Sequence, residues 1–210
     1  CFATFVWHLF RNIRVAPVSP LLSLKDAATL ASFMQYLGSN IAREVGRQHQ
    51  WKEKFWSRRY YASAVLDEAA QEERMRYILA NSVKEGLVKH PRYWPGVHCY
   101  RHLVEGTKLH GIWIDRTAKY LLPHMSEREL TTNYTLKLAK LPCYQHLSDF
   151  EYRSVIRELT NEALAECDIS KSPVGQKRIL AMDPHTKPEK TDKSPAPLCH
   201  SGCPKKKREF

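Results

Sequence analysis

The stretch "RYILANSVKEGLV", Arg76 to Val88, sets a tyrosine and an asparagine four residues apart within a segment of helical periodicity. Residues at that spacing stand one above the other on a helix, so Tyr77 and Asn81 point the same way. Asp67 is spaced to cap this helix, and Gly86, which tolerates the left-handed conformation, to end it. Taken alone, such a pair is most often a half-buried aromatic beside a solvated amide. Its meaning therefore depends on what surrounds it.

Upstream, "SLKD" (Ser23 to Asp26) has the Ser-x-x-acid form that opens helices, with Ser23 as the expected cap. Leu30, Phe33, Met34, Leu37, Ile41 and Val45 then recur at helical spacing, which predicts a first helix of about six turns with these six as its buried stripe. "EKFWSRRYYASAVL" is rich in aromatic and β-branched residues and reads as a strand or hairpin arm. The aromatic, turn-rich segment from Pro91 to about Asp115 reads as a short helix followed by a strand. "ELTTNYTLKLAKL" alternates around Tyr134, Leu136 and Leu138 and reads as another strand. "SDFEYRSVIRELTNEALAE" is a third helix, capped by Ser148 and expected to bury Phe150, Val155, Ile156, Leu159 and Leu164.

Composition bounds these elements. The 210 residues are 43% hydrophobic, enough for one real core, so a domain with a tail is expected. Lys and Arg number 33 against 22 Asp and Glu, a formal net charge of +11 that favours polyanionic partners. No apolar run reaches the roughly 20 residues that span a bilayer. Six scattered cysteines show no disulfide framework and suit a reducing cytoplasm. Beyond Asp168 the chain turns rich in proline and lysine, the composition of a mobile basic tail. There, His185, Cys199, His200 and Cys203 lack the paired short spacing of structural zinc sites, and "PKKKRE" reads as a solvated basic terminus. The start on Cys1 and the proline-punctuated "VAPVSPLL" read as those of a fragment.

With these elements in hand, "FWSRRYYASAV" and "YILANSVKEGLVKHPRYWP" together resemble the second half of the single-tyrosine HUH transposases, in their REP-associated, IS200-like branch. The resemblance covers roughly Asp26 to Gly106 and rests on Tyr-Ile-x-x-Asn, then Val-basic-x-Gly-Leu-Val, then Trp-Pro. Ser82 stands where the family usually has proline. The resemblance implies an α+β fold with a ferredoxin-like (RRM-like) transposase core, incomplete at its N-terminus, over residues 1–106. An α+β extension over 107–167 and the tail over 168–210 would follow.

It also implies a chemistry. Tyr77 would attack a phosphodiester of hairpin-bearing single-stranded DNA and form a 5′-phosphotyrosine link. Asn81 would supply an amide oxygen to Mg²⁺ or Mn²⁺, because a phenol with a pKa near 10 needs a polarised phosphate. Arg58, Arg59, Tyr60 and Tyr61 combine cations with aromatic faces as single-strand binders do, with Lys84 as a further phosphate contact; of these Arg59 matches the family pattern. The family's His-x-His metal pair is missing: its place holds "VAPVSPLLSLKD", and His8 comes too early and has no partner two residues away. An upstream truncation or frameshift before about Leu21 would explain this.

The sequence thus points to a bacterial single-tyrosine transposase of the nucleoid-bearing cytoplasm, partial or degenerate, with no membrane partner and with room for a homodimer. Its alternative is a noncatalytic DNA-binding remnant that has lost the metal. A basic scaffold with no nucleic-acid role is a third reading.

Overall fold

The computed structural model describes residues 3–7 (backbone), 20–56, 60–167, 172–183, 185 and 199–209. It is a mixed α+β structure that divides into two compact units, Cys1–Val97 with Leu159–Phe210, and His98–Glu158. The division falls at residue 98, and the chain returns to the first unit at residue 159.

The first unit is built on a four-stranded sheet of order β2-β1-β3-β6, with β1 at Ala3–Trp7, β2 at Leu21–Leu24, β3 at Ala62–Val65 and β6 at Cys199–His200. β1 runs antiparallel to both β2 and β3, so β2 and β3 share a direction with β1 between them. Helix α1, Ala27–Gln48, connects β2 to β3, which makes a split β-α-β unit. Helix α2, Glu68–Lys84, follows β3 directly. Nothing in the local pattern announces β1, whose residues belong to a segment that reads as incomplete.

Local chemistry explains the helix boundaries. Asp26, not Ser23, caps α1: its carboxylate accepts from the Thr29 N–H at 2.7 Å, while Ser23 lies in β2. α2 starts at Asp67 as the spacing predicts, its carboxylate accepting from the Ala70 N–H at 2.9 Å, and it ends before Gly86 at φ +67°. Leu30 and Met34 of α1 pack with Leu22, Leu24, Leu37, Trp56 and Ala62. Phe33, expected in this stripe, faces outward. Trp56 donates from its indole to the Gly38 carbonyl at 2.9 Å, which ties the chain after α1 back onto that helix. A separate cluster of Val83, Val88 and Ile179, covered by Trp94, Leu164 and Val174, closes the far end of α2.

The C-terminal stretch departs from its expected character as a free tail. Helix α6, Gln176–Leu180, brings Ile179 into the cluster, and the Val174 and Gly175 N–H groups donate to Gly86 and Leu87 at 3.0 and 2.9 Å. β6 pairs in parallel with β3, matching Ala64 to Cys199 and Val65 to His200. It leads to the short helix α7, Pro204–Glu209. The sequence conceals these elements because each is too short to show periodicity.

The second unit holds helix α3 (Tyr100–Glu105), the hairpin of β4 (Leu109–Ile114) and β5 (Thr131–Leu136), helix α4 (Arg116–Leu121) and the first part of α5 (Asp149–Ala165). α5 opens with a reciprocal cap: Ser148 Oγ accepts from the Glu151 N–H at 3.2 Å, and Glu151 accepts from the Ser148 N–H at 2.8 Å. Along α5 the buried residues are Tyr152, Ile156, Leu159, Thr160 and Ala163, whereas Phe150, expected inside, is 75% exposed. No described helix is long and apolar enough to cross a membrane.

Candidate functional site

Tyr77, Asn81 and Lys84 share one face of α2, because steps of four and three residues return to nearly the same angle. Their environments differ sharply. Lys84 is exposed in the last turn, Tyr77 is half-buried, and Asn81 is 6% exposed. The Arg74 guanidinium lies over the Tyr77 ring, 5.5 Å from its centre. Burial raises the Tyr77 phenol above its ordinary pKa, the Glu85 carboxylate raises it further, and Arg74 offsets part of this. Both burial and Glu85 disfavour the phenolate form that a nucleophile uses.

Asn81 is the more unusual residue. Its Oδ1 is buried with no hydrogen-bond partner, and so is the neighbouring Ser82 Oγ. A buried orphan acceptor is destabilising by about 1–3 kcal/mol, and such an oxygen is what a hard cation would satisfy. The companion ligands are not there: among the described residues no three His, Cys, Asp or Glu groups converge as a metal site would require. The donor set for Mg²⁺ or Mn²⁺ is thus not assembled by the described residues. Asn81→Leu is expected to raise unfolding stability by about 1–3 kcal/mol, since it removes the orphan while keeping the side chain's length; an unchanged or lower urea midpoint would contradict this.

Arg58, Arg59 and His8 lie outside the described residues. Tyr60 is exposed and Tyr61 half-buried, just before β3.

A second surface in the same unit escaped the sequence reading. On α1, Phe33, Tyr36, Asn40, Arg43 and Arg47 follow one another at steps of three and four, a stripe about 21 Å long at 1.5 Å per residue. Phe33 is 37% and Tyr36 61% exposed, both arginines are exposed, and Asn40 donates to the Tyr36 carbonyl at 2.8 Å. Arg47 pairs with Glu44 at 3.4 Å. The signal was present as a second 3-4 repeat, offset from the buried one, but assigning Phe33 to the core concealed it.

Asp67 fixes the start of α2 and holds the C-terminal strap. Besides Ala70, it accepts from the Ser201 hydroxyl and from the Gly202 and Cys203 N–H groups at 3.2 and 3.4 Å. Burial alone would raise its pKa, but the Ser201 bond and the three N–H donors outweigh it and hold the carboxyl down to about 2. A depressed folded pKa contributes stability above the unfolded value, near 3.8, and loses it as pH falls through 2. Melting temperature is therefore expected to drop between about pH 4 and 2, and Asp67→Asn, which retains a capping oxygen, to show a shallower drop.

Comparison of the chain with protein-family models, with curated proteins and with solved structures found no match.

Proposed function

We propose that this protein binds single-stranded DNA, as a noncatalytic relative of the single-tyrosine HUH transposases. The observation that carries the reading is the exposed α1 stripe, where two aromatic faces run into two guanidinium groups. Bases without a partner strand stack on aromatic rings while cations track their phosphates. The net charge of +11 acts in the same direction. The split β-α-β unit supports a ferredoxin-like core, with the resemblance around Tyr77 supporting the family. The raised Tyr77 phenol and the unassembled donor set favour binding over cleavage.

The test pairs two readouts on the full chain. Fluorescence anisotropy with a labelled single-stranded hairpin is expected to show binding that weakens with salt, its logarithmic slope growing by about 0.7 per phosphate engaged. On a denaturing gel with Mg²⁺ or Mn²⁺, no covalent adduct is expected. An adduct that vanishes in Tyr77→Phe would make the protein a working transposase instead, and salt-insensitive or absent binding would overturn the DNA reading altogether.

A further inference from the structure

The second unit contains a cavity of about 290 Å³ that the α2 and α1 surfaces do not involve. Its polar walls come from three elements: His102 and Gly106 at the end of α3, Lys137 and Lys140 just after β5, and Asp149 and Arg153 in the first turns of α5. The lysines are held by one carboxylate. Lys137 donates to Asp149 Oδ2 at 3.1 Å and Lys140 to Oδ1 at 2.9 Å. Lys140 also donates to the Leu147 carbonyl at 2.6 Å. The two bonds to the carboxylate, from Lys140 first and Lys137 second, hold the Asp149 carboxyl down to about 2, so it stays ionised at neutral pH.

Arg153 has no acidic partner among the described residues. Its guanidinium lies against the backbone of Gly106: a Cβ at that glycine would sit 2.4 Å from Nη2 and 2.6 Å from Cζ. Gly106, at φ +71°, is required by its left-handed conformation, and the flexible guanidinium of Arg153 occupies the space beside it. Among the cavity-lining residues three cations face the one carboxylate of Asp149, an excess of two positive charges; the Glu151 carboxylate, outside the lining, lies within electrostatic reach of Lys140. At the wall, buried Tyr152 accepts from the Leu141 N–H at 3.2 Å. Burial pushes its phenol up to about 12, so its own hydrogen is retained. The α5 cap already uses Ser148 and Glu151, so anion recognition here falls to side chains.

We propose that this cavity binds a small phosphomonoester, of sugar-phosphate or mononucleotide size. A phosphomonoester carries close to two negative charges at neutral pH, because its second pKa is near 6, and this matches the excess among the lining residues. A phosphodiester carries one and leaves the site half-neutralised. The volume lies at the lower end of small-ligand sites, which suits one phosphate with one ring and excludes a longer strand. The guanidinium offers the planar fork that matches phosphate oxygens, and the lysines add point charges.

Calorimetric titration of the full chain tests this with ribose 5-phosphate, 5′-AMP, the methyl ester of 5′-AMP and adenosine. The first two are expected to bind, the singly charged ester about tenfold more weakly, and adenosine not at all. Arg153→Gln and Lys140→Gln are each expected to weaken the phosphomonoesters about tenfold or more. So is Lys137→Gln, whose 63% exposed side chain makes misfolding a poor explanation. Lys119→Gln, whose lysine pairs with Glu127 outside the cavity, is expected to leave affinity unchanged. Single strands with and without a 5′-phosphate separate free from strand-borne ligand. A preference for the phosphorylated end that Arg153→Gln abolishes, with binding of the 5′-hydroxyl strand kept, would identify the strand terminus as the source and would leave the α1 reading intact. Equal binding of adenosine and 5′-AMP, no binding of either, or wild-type affinity in all three variants would overturn the proposal.

Discussion

Leu79→Ala is expected to lower unfolding stability by about 2–5 kcal/mol, the range for deleting a leucine side chain that cannot be backfilled. Leu79 sits between Tyr77 and Asn81 on α2 and is 0% exposed. Its removal takes away transfer energy and leaves a void that the flanking buried residues, Met75, Ala80 and Val83, are fixed too firmly by the helix to fill. Against a total stability of about 5–15 kcal/mol typical of such domains, this is a large fraction. The urea midpoint should fall while the slope of the transition stays near its original value. A loss under about 1 kcal/mol would mean that α2 is not anchored where the fold requires it. Since α2 carries Tyr77, Asn81 and Lys84, Leu79 is also the residue whose packing fixes that face.

Combined replacement of Phe33 and Tyr36 by alanine is expected to weaken single-stranded DNA binding by about 2–6 kcal/mol, taking roughly 1–3 kcal/mol for each base deprived of its stacking platform. Stability should change little. Both side chains are at least one-third exposed, and alanine is the better helix former. Replacing Arg43 and Arg47 should act differently: affinity falls at every sequence, and the salt slope becomes shallower by about 0.7 for each phosphate that is no longer neutralised. If the aromatic pair leaves anisotropy unchanged, the α1 stripe is not the interface and the DNA-binding reading loses its main support.

Much of α1, α2 and α5 was legible because long amphipathic helices repeat their signal over several turns, and because Asp67, Gly86 and Ser148 carry strong cap chemistry. Burial within those helices was less legible. Phe33 and Phe150 fall at core spacing yet lie outside, since spacing gives a face only to within a wide arc and the nearby Met34 and Tyr152 fill the inner position. The β5 strand was correctly expected, but Tyr134 and Leu136 are more than half exposed, because a two-stranded hairpin has no layer of its own to bury them. β1, β6 and α6 went unseen: runs of two to five residues owe their form to partners distant in sequence. At the candidate site, the shared face of Tyr77 and Asn81 could be read from four-residue spacing. The depth at which Asn81 lies and the Arg74 guanidinium over the phenol could not, for each depends on how the helix settles against its neighbours.

The strap that Asp67 holds is separated from it by 134 residues at Ser201. Closing so long a loop carries a larger entropic cost than any local turn, although the cost grows only logarithmically with length. Pairing of β6 with β3 therefore belongs to the late events of folding, as non-local strand pairing generally does. During synthesis, β3 pairs with β1 on one side while its other edge keeps unmet N–H and C=O groups until residue 200 has left the ribosome. An open edge is a template for strands of other chains. The pairing of Cys199–His200 with Ala64–Val65 thus covers the edge of β3 that β1 leaves open, and the bonds to Asp67 hold that cover in place.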